Sequence, residues 1–152
     1  MSGGTLILPG LVLALAMATL LWGLAALHFY WGTGGFWPEK DETALARKVV
    51  GAPGITRMPP PLACLLVAFA LAMLGILALL LVGLIPAFLP RWMIISAGLA
   101  AMLVFLGRGA AAWQPEFRKI FPEEPFATLD KRYYAPLCLA LGFGFLFLVM
   151  VG

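Results

Sequence analysis

The sequence predicts an all-α membrane protein: four transmembrane helices in an antiparallel bundle, with short amphipathic segments in loops one and three. Three observations predict it. Of 152 residues, 63% are hydrophobic and 11% charged, whereas soluble proteins carry about a quarter charged residues. Residues 6–31 and 62–85 run without one Asp, Glu, Lys or Arg, and each run exceeds the roughly 20 residues that cross a hydrocarbon core of about 30 Å. The basic residues are concentrated between spans, Lys40, Arg47, Lys48 and Arg57 in the first loop and Arg108, Arg118, Lys119, Lys131 and Arg132 in or beside the third, with Arg91 alone in the middle one.

The first helix is expected over about residues 6–31. Met1 to Thr5 have no Lys or Arg, and the apolar run that follows is too long for a signal-peptide core, so it reads as a retained span. The second is expected over 62–85 and the third over 92–112, with Pro86 and Pro90 bracketing the turn between them because proline lacks a backbone donor and restricts its predecessor. The fourth is expected over 134–151. Pro136 belongs in a first helical turn, which places the helix start several residues after Asp130 and favours a tertiary partner for that carboxylate over a cap. Four spans leave loops too short for a separate core, so residues 1–152 form one domain.

Lys and Arg in short loops resist translocation. Their bias puts loops one and three in the cytoplasm and both termini outside. Small residues spaced by four (Ala14 and Ala18, Ala68 and Ala72, Gly107 and Ala111, Ala140 and Gly144) are expected to let helices approach closely in lipid. In the first loop Asp41 caps a short helix from Glu42 to Val50, with Arg47 and Lys48 near its C-terminus and Gly51 after it; Leu45 and Val49 share a face that lies on the membrane surface or on the third loop. In the third loop Phe117, Ile120 and Phe121 have helical spacing. Two interfacial segments should therefore roof the cytoplasmic end.

Most notable polar groups gather at that end. Tyr30, Trp31, Trp113, Tyr133 and Tyr134 read first as interfacial anchors. Arg108, about 7.5 Å before Trp113 along a helix, reaches the headgroups by snorkelling or pairs with Asp130. His28, the single histidine, satisfies itself with one hydrogen bond or serves as a proton carrier or ligand contact. Candidate ligand-binding residues are His28, Tyr30, Arg108, Asp130, Arg132 and Tyr134.

What is missing removes several functions. One histidine excludes a bis-histidine haem and argues against zinc. No span has the mid-membrane carboxylate of a proton-coupled exporter, and Cys64 and Cys138 form no redox pair and read as small apolar fillers. Gly32, Gly34 and Gly35 lead into no helix of the phosphate-binding kind. No metal and no cofactor are expected. The net charge of +3 belongs to topology and anionic headgroups, not to nucleic acid.

At residues 27–38, Leu-His-Phe-Tyr-Trp-Gly-Thr-Gly-Gly-Phe-Trp-Pro, and at residues 126–138, Phe-Ala-Thr-Leu-Asp-Lys-Arg-Tyr-Tyr-Ala-Pro-Leu-Cys, the chain resembles the bacterial membrane family known as domain of unknown function 3995. The resemblance implies a bacterial cytoplasmic membrane and supplies no catalytic role. It directs attention to two segments at the predicted cytoplasmic end.

The functional expectation is a lipid or other amphipathic small molecule bound at the cytoplasmic interface, with membrane lipids as partners. Alternatives are an accessory or assembly subunit packed on another membrane protein or on a second copy, and a membrane enzyme acting on an amphipathic substrate, by analogy of size and orientation with four-helix glutathione-using enzymes.

Overall fold

The computed structural model describes residues 3–152, with side chains from Leu8 onward; the reading of Met1 and Ser2, and of the side chains before Leu8, lies outside the described residues. All described regular structure is helical: α1 (Gly3–Gly32), α2 (Glu42–Val49), α3 (Pro61–Leu81), α4 (Arg91–Ala111), α5 (Pro115–Ile120), α6 (Phe126–Leu129), a π-helical turn (Asp130–Tyr134) and α7 (Ala135–Val151). Four stretches are long and apolar enough to cross a membrane: Leu8–Gly32, Pro61–Leu81, Arg91–Ala111 and Phe126–Val151. Their outward surfaces are apolar as well, with Leu66, Phe69, Leu103, Val104 and Phe143 all exposed. Exposed apolar surface on this scale suits a hydrocarbon solvent and not water.

The long helices associate as two close pairs, α1 with α3 and α4 with α7, joined by α1 against α7 and α3 against α4. Both pairs are antiparallel: Gly10 faces Val82 while Gly32 faces Leu65, and Gly98 faces Val149 while Gly109 faces Leu139. Small residues make the close approaches, as lipid offers no hydrophobic drive between helices. Gly75 lies under Trp22, Gly142 under Leu106 and Gly144 under Met17. Leu21, Leu81, Phe145 and Leu148 are fully buried where the pairs meet, and Phe145 stacks on Phe105 at 5.9 Å between centroids.

The small-residue expectation holds for Ala14, Ala18 and Ala68, which are buried, and fails in α4. There Gly107 is exposed with open space around it, and the tight contacts come from Gly98 and Gly109. Ala140 is likewise exposed. Spacing alone does not say which face of a helix meets a partner.

Two helix ends also differ from expectation. The second span stops at Leu81 and not near residue 85. Gly83 adopts φ +70°, its N–H donates to Leu80 O at 3.1 Å, and the Leu84 N–H donates to Leu79 O at 3.0 Å, a Schellman closure that ends the helix before Pro86 acts. Arg91 then donates to Leu81 O at 2.9 Å, satisfying a carbonyl that the helix leaves free.

The regular helix α7 begins at Ala135, one residue from the expected 134 and with Pro136 in its first turn, but the helical path of the fourth span runs further back, through the π turn and α6 to Phe126. Pro136 does not delay it, because the preceding π turn widens the helix: the Ala135 N–H bonds to Asp130 O, five residues back. A wider turn accommodates the ring that would strike a carbonyl in regular α geometry. Asp130 therefore sits inside a continuous helix and not before it.

Candidate functional site

Asp130 is fully buried, the one charged residue among the described residues to be so. Arg108, from the last turn of α4, donates Nη2–H to its Oδ1 at 2.7 Å, and Arg118, from α5, donates to Oδ2. The Phe117 ring lies under both guanidiniums, 5.1 Å from Arg108 Cζ and 4.8 Å from Arg118 Cζ. Burial strengthens such pairs but leaves any unmatched donor costly. Two donors are unmatched: Arg108 Nη1 and Arg118 Nε are buried without a hydrogen-bond partner.

The first loop folds over this ion cluster. Asp41 caps α2 by accepting from the Ala44 N–H at 2.8 Å, as its sequence dictates, and Leu45 and Ala46 are fully buried. Of the two surfaces open to α2, it takes the third loop. Gly51, at φ +73°, presses so closely on Phe126 that a side chain has no room. The Glu123 N–H donates to Gly51 O at 3.2 Å, Arg47 pairs with Glu123 at 3.3 Å, and the Tyr134 hydroxyl donates to Lys48 O at 3.3 Å. Lys48 is also paired with Glu39.

Beneath that roof, in the seam between the two helix pairs, lies a cavity of about 570 Å³, within the range of small-molecule sites. Its walls are apolar: Leu24 and Leu27 of α1, Val67 and Leu71 of α3, Phe105 of α4 and Leu141 of α7. Its polar lining is His28, Lys48, Arg108 and Tyr134. Each spanning helix that contributes a polar group places it on the loop side of that helix's apolar contribution, His28 after Leu24, Arg108 after Phe105 and Tyr134 before Leu141. The cavity is thus a greasy shaft with polar groups at one end. Trp31 and Trp37 also line it, joined by a hydrogen bond from Trp31 Nε1–H to Trp37 O at 2.8 Å.

Of the six residues picked from the sequence, His28, Arg108 and Tyr134 line this cavity, and Asp130 stands behind Arg108. His28 Nδ1 lies 2.8 Å from Leu24 O; a carbonyl only accepts, so Nδ1 carries the proton and Nε2 is left as the ring's other hydrogen-bonding atom. Tyr30 and Arg132 do not line it. Tyr30, two residues from His28, is on another face of α1 and covers Gly35, because residues two apart on a helix do not face the same way. Arg132 is exposed beside the Tyr133 ring, 5.4 Å away, in an open depression shared with Arg118, Glu124 and Lys131.

Four contributors escaped the sequence reading. Arg118 resembles its neighbour Lys119 in every local respect, and only the path of loop three brings it to Asp130. Lys48 read as a helix-end charge, and Trp37 and Phe126 stood in the two segments that carry the resemblance without being singled out as site residues.

Among the described residues no group of three His, Cys, Asp or Glu side chains is placed to hold a metal. Cys64 and Cys138 are both free, and only Cys138 lines the cavity. No curated protein and no solved structure matches the chain. Its residues 21–145, which include the cavity lining, the roof and the Asp130 cluster, match the family described as protein of unknown function (DUF3995), and the protein belongs to that family.

Proposed function

We propose that this is a small bacterial inner-membrane protein that binds a lipid or other amphipathic molecule at the cytoplasmic interface, its four spans forming one bundle with both termini outside and loops one and three in the cytoplasm. One observation carries the reading: an apolar shaft between helix pairs ends in His28, Lys48, Arg108 and Tyr134 beneath the most basic loops. Apolar walls favour a hydrocarbon chain, and the polar end stands where headgroups lie once the basic loops face inward. Val67 of α3 lines the cavity and is 43% exposed, which leaves apolar surface there for a hydrocarbon chain to cover.

Native mass spectrometry of protein released in mild detergent tests it. Wild type should retain one lipid-sized adduct, and Leu71→Trp, which fills the shaft, should lose it, while Leu103→Trp, on the outward surface, should keep it. Equal adducts in all three proteins would contradict the reading. A stable, adduct-free association with another membrane protein would favour the accessory-subunit alternative.

A further inference from the structure

The polar end of the shaft has an uncompensated charge. Lys48 and Arg108, which line it, and Arg118, which stands outside it but shares Asp130 with Arg108, contribute three positive charges, and the carboxylates bonded to them, Glu39 and Asp130, contribute two negative ones. Among the described residues no further carboxylate is paired with these three cations. Glu123 is paired with Arg47, and Glu124 accepts from Thr128 in the open depression where Lys131 and Arg132 also stand beside Arg118. His28 is a hydrogen-bonding ring whose Nδ1 is already used.

Buried guanidinium donors without partners carry a desolvation cost, and a nearby anion offsets part of it through its charge even where the donor atoms themselves are closed off. Arg108 Nη1 and Arg118 Nε are two such donors, and both belong to side chains that already share Asp130. Arg108 lines the shaft itself. Charge-assisted bonds to an oxyanion are the strong kind, and arginine's planar donor set suits carboxylate and phosphate alike.

We infer that the ligand of this cavity is a monoanionic amphiphile, a hydrocarbon chain carrying one carboxylate or phosphodiester head, with the Arg108–Asp130–Arg118 cluster as the headgroup's counter-charge. The inference rests on the amphiphile reading above and adds the sign and the number of charges. Asp130 has a positioning role: it holds two arginines in one place and reduces the cluster to a single positive charge, which selects a singly charged head over a neutral one.

The test uses the full-length protein in a neutral detergent and the alkylation of Cys138, which lines the shaft, by N-ethylmaleimide, with Cys64 as the internal reference. Palmitate, lysophosphatidylglycerol with the same chain, and palmityl alcohol are titrated as protectants. At least one anionic probe should protect Cys138 at about tenfold lower concentration than the alcohol, a factor equivalent to one good charge-assisted bond; whichever anion protects better identifies the carboxylate or the phosphodiester as the head. Arg118→Gln, which makes the cluster neutral while leaving Asp130 paired with Arg108, should narrow that ratio to about threefold or less. Equal protection by all three probes in wild type overturns the charge inference and leaves the amphiphile reading standing. Protection by none of them removes the amphiphile reading itself. The wild-type ratio decides the matter even if the variant does not fold.

Discussion

Arg108 in the last turn of α4 and Asp130 at the start of the π turn are joined by a hydrogen bond of 2.7 Å, so the third and fourth spans are locked together at the roofed end by a charge pair with a fully buried carboxylate. Packing in lipid is otherwise a matter of small residues and van der Waals contact. This pair and the Arg118 pair beside it add directional contacts at that end. Removing the carboxylate leaves two guanidiniums without their acceptor. Asp130→Ala should therefore cost about 3–5 kcal/mol, the usual penalty for breaking a buried pair. Arg118→Ala should cost less, because Arg108 still satisfies Asp130. Thermal unfolding in detergent measures both; equal melting temperatures for Asp130→Ala and wild type would show the cluster to be energetically idle.

The Gly51 position makes a more local prediction. Gly51→Ala forces a side chain into φ +73° and into Phe126 at once, while Gly54→Ala, at φ +65° with open space around it, meets only the backbone penalty. Left-handed conformation costs a non-glycine residue roughly 1–2 kcal/mol, so Gly54→Ala should lose about that much and Gly51→Ala clearly more. Hydrogen exchange of the α2 amides separates them, with faster exchange expected for Gly51→Ala.

Much of the architecture was legible because hydropathy and charge act over whole segments. Four spans, the Asp41 cap and the basic-loop asymmetry all follow from residue type and short-range spacing. The misses have both local and tertiary causes. The end of α3 depended on Gly83, which closes the helix before the prolines act. The start of the last span depended on a π turn that no hydrophobic period reveals, and that turn determines where Asp130 lies. Tyr30 and Arg132 were included because they lie near His28 and Asp130 in sequence; at two residues' distance on a helix they turn away. Arg118 required knowledge of how loop three folds.

Helix pairing gives a paired test. A Cβ on Gly142 would stand 2.7 Å from the Leu106 side chain and 3.0 Å from its backbone nitrogen, whereas one on Gly107 meets nothing within 4 Å. Gly142→Ala should destabilise by about 1–3 kcal/mol through overpacking. Gly107→Ala should be neutral or stabilise by up to about 1 kcal/mol, the helix propensity of alanine over glycine. Melting temperatures in detergent check the order, and the reverse order would misplace the α4–α7 contact.

Topology is testable independently of any ligand. A periplasmic reporter inserted in the turn after Gly83, or fused after Gly152, should be active, and the same reporter inserted at Gly54 should not. Activity at Gly54 would invert the orientation and place the polar end of the shaft on the outer face.

Photo-crosslinking addresses the amphiphile site most directly. An alkyl chain bearing a diazirine, supplied to membranes containing the intact protein and mapped by peptide sequencing, should label the shaft-lining residues Leu24, Leu71, Phe105 and Leu141, and Leu71→Trp should abolish that labelling. Label confined to the outward Phe69, Leu103 and Phe143 would contradict an amphiphile held between the helix pairs.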